Sequence, residues 1–187
     1  MLYGDRIYLR LMEEKDIPYK VRWVNDPDVR RTLNVDYPFS EVATRNWLQK
    51  VSADESRRDF IVCLVEKDFP IGYGGLVNID FKNSKAETYM AVGHKEYWGK
   101  GYAADIRKRL LEYAFKELGM NKVYSYVWSE NEKMINLNKK FGFVTEGLLR
   151  EDVFYQGEYR NIYIMSLLKR EYLENNLDPG SLIGERP

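Results

Sequence analysis

One cysteine and one histidine in 187 residues leave redox and metal chemistry little to work with. Cys63, inside the apolar run FIVCLV, has no second thiol to pair with, and its expected role is a small core residue rather than a catalytic thiol. His94 alone cannot build a Cys/His metal site, so no metal is expected. It reads as a surface histidine, with a base role as the alternative. An excess of one charge is missing too, since Lys+Arg and Asp+Glu number 29 each. Without a net field, neither nucleic acid nor an anionic membrane is an expected partner. No apolar run approaches the roughly 18 residues of a membrane span, and MLYGDRIYLR lacks the apolar centre of a signal peptide. A cytoplasmic protein is the expectation. No repeat, low-complexity tract or Pro/Gly/Ser linker divides the chain. What is present, 44% hydrophobic and 31% charged residues, suits one folded domain over residues 1–173. The remainder, ENNLDPGSLIGERP at 174–187, reads as a loosely held tail.

Periodicity orders the elements. RIYLRLM alternates Ile7, Leu9 and Leu11 against Arg6, Tyr8 and Arg10, a half-buried strand. A helix capped by Asp16, with Pro18 in its first turn, ends near Asn25-Asp26-Pro27; a short one spans Asp28 to Leu33, and a third starts at Ser40. Three strands follow in succession, Asp59–Val65, Pro70–Ile79 and Ala86–Val92. A helix then stacks Ile106, Leu110, Ala114 and Leu118 on one face, points Arg107 and Lys108 elsewhere, and stops at Gly119. The strand Lys122–Trp128 leads to a helix from about Asn131 to Lys140. A long hairpin, FVTEGLLREDVFY and EYRNIYIMSLL, turns at Gln156-Gly157. The sum is an α+β (mixed α/β) single domain with a seven-stranded, mostly antiparallel mixed sheet and helices on both faces. One strand–helix–strand passage implies a parallel crossover, and ligands favour the carboxyl ends of such strands.

The stretch YWGKGYAADIRKRLLEYAF places Gly99 and Gly101 where a Ser or Asp cap would stabilise a helix start better. Glycines there let backbone N–H groups approach a phosphate, helped by the partial positive charge of the helix N-terminus. Neither GxGxxG with a distant acid nor GxxxxGK[ST] is present, so a plain tight turn is the competing reading of those residues alone.

Wider context separates the two. With its flanking strand and helix, Glu96–Ala103 resembles the acyl-CoA pyrophosphate loop of the GNAT superfamily of N-acetyltransferases, Trp98 standing in place of that pattern's Arg or Gln. SENEKMINLNKKFGFVTEG is similar to the superfamily's Asn-bearing strand end, helix and Gly-Phe strand entry. QGEYRNIYIM looks like the C-terminal hairpin of the spermidine acetyltransferase branch, and YWGKGYA like the branch holding ribosomal-protein alanine acetyltransferases. The resemblance runs from about Arg6 to Leu173. It implies acetyl transfer from acetyl-CoA, as co-substrate, to a primary amine by direct attack in a ternary complex. It also implies a fourth and a fifth strand, Ala86–Val92 and Lys122–Trp128, splayed into a V. Pantetheine would pair there with Met90, Ala91 and Val92, and the pyrophosphate would meet Trp98, Gly99, Lys100, Gly101, Tyr102 and Ala103. Lys100, Lys139 and Lys140 are candidates for the 3′,5′-ADP end, with plain solvation as the alternative. Asn131 matches a cofactor-contacting Asn and is equally an N-cap. A homodimer is compatible with the resemblance.

Amine attack on a thioester needs a proton acceptor, oxyanion stabilisation and help for the departing thiolate. Glu87 alternates with Tyr89 and Ala91 on one strand face, which makes it the candidate base; a solvated strand-edge glutamate is the alternative. Counting the superfamily pattern Asn-x-x-Ala-x-x-x-Tyr from Asn131 puts Asn138 where a tyrosine acid would stand. On a stripe with Met134, Leu137 and Phe141, Asn138 should be hydrogen-bonded, and it can orient the thioester but cannot deliver a proton. The acceptor is a small molecule or a peptide: polyamine, protein N-terminus or amino sugar. Carboxylates for a polyamine could come from Asp26 to Asp28, Asp36 and Glu151-Asp152; aromatics Phe154, Tyr155, Tyr159 and Tyr163 would suit the other two. A non-catalytic acyl-CoA sensor on the same fold and a nucleotide-binding protein sharing the GxG turn remain as alternatives.

Overall fold

Eight strands form one sheet in the computed structural model, which describes residues 1–31, 33 and 38–177. In chain order they are β1 (Leu2–Tyr3), β2 (Ile7–Leu11), β3 (Arg58–Leu64), β4 (Phe69–Asp80), β5 (Lys85–Val92), β6 (Lys122–Trp128), β7 (Val144–Tyr155) and β8 (Glu158–Leu168). Spatial order follows the chain except that β8 lies between β6 and β7. The strand beyond the expected seven is β1, two residues that pair with β2 and are too short to show a period. All neighbours are antiparallel except β5 and β6, the anticipated parallel crossover.

The helices are α1 (Ile17–Asn25), α2 (Pro27–Arg30), α3 (Glu41–Val51), α4 (Tyr102–Glu112), α5 (Glu132–Lys140) and α6 (Lys169–Leu177). Asp16 does not cap α1 with its side chain. A 3-10 turn, Glu14–Asp16, leads into the helix, and the Asp16 carboxylate is held by two Arg10 N–H groups at 2.6 Å and by the Glu13 amide. The acid is consumed by a buried ion pair, so the cap pattern in the sequence misleads. Asp26 caps α2, which is shorter than expected, and the Ser40 hydroxyl caps α3 at 3.1 Å from the Ala43 amide. A π turn, Tyr113–Glu117, extends α4 before Gly119 ends it with φ +69°. The expected boundary at Leu173 falls inside α6, whose segment KREYLENNL has no apolar stripe to announce it. Residues 178–187 lie outside the described residues, as does Asp36.

Two helices cover one sheet face: α1 and α3 bury Ile17, Trp23, Val24 and Leu48 against Tyr8, Ile61, Cys63, Tyr73 and Ala91. The opposite face is covered by α4, whose Ile106 and Leu110 pack on Ile7, Leu9, Val62, Ile71 and Met90. A further core gathers Leu111, Ala114 and Phe115 with Val123, Val127, Met165, Leu167 and Tyr172. Arg107 departs from the expectation that it points away from the core. It is 1% exposed, because Met134 of α5 and Phe143, just before β7, close over the flank of α4 that a lone amphipathic helix would show to water.

Candidate active site

Glu87 on β5 faces Tyr124 on β6, and there the two strands stop pairing. Their register holds for three residue pairs, Lys85↔Lys122 to Glu87↔Tyr124, whereas β5 stays paired with β4 as far as Val92 and β6 with β8 as far as Trp128. From Thr88 onward the β6-facing edge of β5 has no strand partner. The gap is a cleft of about 550 Å³ bounded by Thr88, Tyr89 and Met90 on one strand and Ser125 to Trp128 on the other. Glu87, Arg107, Asn131, Met134 and Asp152 complete much of its wall. The parting of β5 and β6, expected from resemblance, is therefore present.

The half-buried Glu87 has a carboxylate pKa raised by burial, opposed by the Asn78 amide, which donates to Oε2 at 2.8 Å. Asn78 reaches it from a bulge in β4 with φ +49°. A carboxylate so placed binds a proton more readily than a solvated one. Next along the strand, the Tyr89 hydroxyl donates to Asp59, which Arg57 holds at 2.7 and 2.9 Å. Burial keeps that phenol well above its ordinary range, so it stays protonated. On the same side of the sheet the Lys20 ammonium lies 3.5 Å above the centre of the Trp47 ring. Burial lowers its pKa to about 8, while the ring face favours the cation.

At the carboxyl end of β5 the chain turns through Gly99 and Gly101, with φ +72° and +84°, into α4. Gly101 provides no side-chain cap; its carbonyl accepts from the Ala104 and Asp105 amides at 2.9 and 3.3 Å, which leaves the Tyr102 and Ala103 amides without an acceptor among the described residues. Space at Gly99 is open, whereas a Cβ on Gly101 would come within 3.1 Å of Arg6 Nη2. Arg6, just before β2, braces the loop. It donates to the Lys100 carbonyl at 3.1 Å, pairs with Asp105 at 2.6 Å and lies over the Tyr102 ring at 4.6 Å. The Trp98 indole donates to the Val92 carbonyl at 2.7 Å, tying the loop to the strand. Lys100, Lys139 and Lys140 are exposed, Ala103 packs against the α4 core, and Asn131 caps α5 through the Met134 amide at 3.1 Å. Of the expected cofactor residues, Met90 and Asn131 line the cleft, and the loop 98–103 lies beyond the carboxyl end of β5.

Asn138 is fully buried one turn beyond Met134 and does not line the cleft. Its Nδ2 reaches the Met165 sulfur at 3.7 Å, and its Oδ1 has no partner among the described residues. His94 is half-buried rather than a surface histidine, set among the rings of Trp23, Phe69 and Tyr97, with its pKa lowered by burial. Of the acidic candidates, Asp26 and Asp28 are held by Lys95 at 3.0 and 2.9 Å, Glu151 forms a bulge at φ +52°, and Asp152 lines the cleft. Tyr155 is buried against Trp128; Phe154 and Tyr159 are exposed. Among the described residues no group of three or more His, Cys, Asp or Glu side chains is placed to hold a metal, and no helix is long and apolar enough to cross a membrane.

Sequence reasoning missed Arg6, 94 residues from the carbonyl it braces, and Arg107. For Arg107 a signal existed. It lies at i+4 from Ala103 and i−4 from Leu111, a second apolar row on α4 whose middle member is charged.

Comparison with known proteins agrees with this arrangement. The sequence pattern of the acetyltransferase (GNAT) domain matches residues 6–144. The chain is 34% identical over 175 residues to the Uncharacterized N-acetyltransferase p20 of Bacillus licheniformis, covering 91% of this chain and 97% of that protein. It is 33% identical over 178 residues to the spermidine N(1)-acetyltransferase of Escherichia coli K12, covering 95% and 94%. The crystal structure of spermidine N-acetyltransferase from Vibrio cholerae in complex with CoA and spermine matches with a TM-score of 0.85 at 28% identity, over 91% of this chain and 99% of that one. The chain belongs to the GNAT family of acetyltransferases. Within it the protein is an N-acetyltransferase, transferring acetyl to an amine, in the branch that includes the spermidine enzymes.

Proposed function

We propose that this enzyme transfers acetyl from acetyl-CoA to a primary amine of an alkyl polyamine by direct attack in a ternary complex. The observation that carries the reading is the cleft itself, a gap between β5 and β6 with two carboxylates, Glu87 and Asp152, on its wall. The CoA pyrophosphate meets the amides that begin α4 at Gly99–Ala103, and the pantetheine arm pairs with the open edge of β5 at Met90, Ala91 and Val92. Lys100, Lys139 and Lys140 are the cations available to the 3′,5′-ADP end, and Asn131 stands opposite. The polyamine enters between Asp152 and the aromatic rings of Tyr89, Tyr126 and Trp128. These surfaces suit alkyl ammonium groups through charge and cation–π contact.

Chemistry follows from placement. Glu87 takes a proton from the attacking ammonium, directly or through water, so that the lone pair on nitrogen can add to the thioester carbonyl. The tetrahedral intermediate collapses, the C–S bond breaks with its electron pair on sulfur, and the amide and CoA leave. Asn138 enters this reading as a supporting residue behind Met134, since an amide cannot supply a proton. A cytoplasmic location and a homodimer built on the exposed outer strand β7 belong to the same proposal.

The test is an amine panel of spermidine, spermine, an aminoglycoside, a UDP-amino sugar and Ala- or Ser-initiated peptides, read as CoA release with a thiol reagent. Turnover with the polyamines ahead of the rest is expected. Turnover confined to peptides or amino sugars would overturn the acceptor assignment, and acetyl-CoA binding without turnover on any amine would favour a sensor.

A further inference from the structure

Among the described residues Arg107 is a cation paired with no carboxylate. Its guanidinium is 1% exposed, donates to Thr88 Oγ1 at 3.0 Å and to the Met134 sulfur at 3.4 Å, and stands 5.4 Å from the centre of the Phe143 ring. Among the described residues its Nε has no partner and no carboxylate pairs with it. Burial pushes its pKa down to about 10, so it is still charged at neutrality. Buried ions are ordinarily paired, because an uncompensated charge out of water is among the costliest arrangements a fold can hold. Two of its five N–H groups meet only a hydroxyl and a thioether, which leave the charge itself unanswered.

Its position says where the answer comes from. Thr88 is the first residue of β5 beyond the last pair with β6, so the guanidinium sits where the two strands part, and it lines the cleft. Under the acetyl-CoA reading on which this step rests, the phosphates lie at Gly99–Ala103 and the arm runs back along β5 toward Glu87. The reacting end therefore falls on the Thr88 side. Two negative charges form there during transfer, the oxyanion and then the CoA thiolate.

We propose that Arg107 is a catalytic residue of this enzyme, the cation that stabilises the departing CoA thiolate in the closed end of the cleft. The amine nitrogen bonds to the acetyl carbon, its proton passes to Glu87, and the C–S electron pair stays on sulfur as a thiolate paired with the guanidinium. That thiolate is protonated from water as CoA leaves. The arrangement removes the need for a side-chain proton donor at the sulfur, a role that neither Asn138 nor an arginine can fill. It also keeps the pocket hostile to a second ammonium, so the amine that reaches the thioester is the one Glu87 has neutralised.

The direct readout is the thiol titration of bound CoA. Thiolate ultraviolet absorbance is recorded against pH for the CoA complex and for the complex with desulfo-CoA, whose difference removes tyrosine and the buried Cys63. In the wild-type protein the bound thiol should titrate about one unit or more below the thiol of free CoA, a tenfold larger thiolate fraction near neutrality. Arg107→Met should return it to the free value and lower kcat about 10²-fold, with CoA affinity measured by calorimetry little changed. A merely structural arginine would leave the thiol untouched. A wild-type complex whose CoA titrates like free CoA overturns the proposal, and this needs no variant to fold. If CoA fails to bind at all, the acetyl-CoA reading falls first and the inference with it.

Discussion

At the scale of single residues, Glu87 shows how far one side chain can be read from its neighbours. Alternation with Tyr89 and Ala91 placed it on a strand face beside an aromatic, and the structure makes it half-buried with Asn78 as its hydrogen-bond donor. Because burial raises its pKa, its proton is lost above the ordinary glutamate value of about 4.3. A base must be deprotonated to act, so kcat should fall as pH is lowered through that raised value. Glu87→Gln should lower kcat roughly 10²-fold, leave acetyl-CoA affinity alone, and erase the acidic limb of the profile. A Gln variant with wild-type kcat would remove Glu87 from the mechanism. What the sequence could not show at this scale is partnership across distance. The Asp16 carboxylate reads as a cap but is spent on Arg10.

Elements were legible where their signals are local. Gln156 and Gly157, both at positive φ (50° and 89°), make the hairpin turn that their identity suggests, because a two-residue turn of this hand needs φ > 0 twice. The glycine loop was legible for the same reason, whereas α6 was not, since its burial rests on Tyr172 docking against Phe115 and not on a repeating stripe. The loop makes a prediction of its own. Gly101→Val must hold a branched residue at φ +84° and bring its Cβ against Arg6. The acetyl-CoA Kd should rise at least tenfold, about 1.4 kcal/mol or more. Arg6→Ala provides the comparison. Its pair with Asp105 is roughly half exposed on the arginine side, and such pairs contribute only about 0.2–1 kcal/mol. Loss of the brace should therefore weaken acetyl-CoA by no more than about fivefold. Equal affinity of a folded Gly101→Val protein and the wild type, by calorimetry, would rule out the phosphate-cradle role.

Over the whole molecule the cleft exists because three residue pairs alone join two half-sheets. One half, β1 to β5, packs mainly on α1, α3 and α4, and the other, β6 to β8, packs on the end of α4 and α6, with Leu76, Ile79 and Ala86 of the first half in the same core. Strand alternation is the same whether an edge is paired or open, so no pattern within β5 or β6 could reveal the gap; only the likeness to a family did. Asn138 lies in the second half, 0% exposed, with its Oδ1 unpartnered and its Nδ2 on a thioether at 3.7 Å. A buried acceptor without a donor costs about 1–3 kcal/mol, and leucine keeps the same number of side-chain heavy atoms and the same branching without the polar atoms, at a larger volume whose packing cost offsets part of that gain. Asn138→Leu should therefore raise the free energy of unfolding by at most about 1–3 kcal/mol, read as a higher denaturant midpoint at unchanged slope. Loss of stability would mean that the amide is satisfied in solution, by ordered water for instance, or that the added volume is not accommodated. Activity separates the remaining roles. If turnover with every amine falls together while stability rises, the chain keeps an unfavourable polar residue beside Met134 for the acetyl-CoA end of the reaction, a cost in stability tolerated for catalysis. If turnover is unchanged, Asn138 has no part in catalysis, and the cleft wall formed by Glu87, Arg107 and Asp152 must account for the chemistry without it.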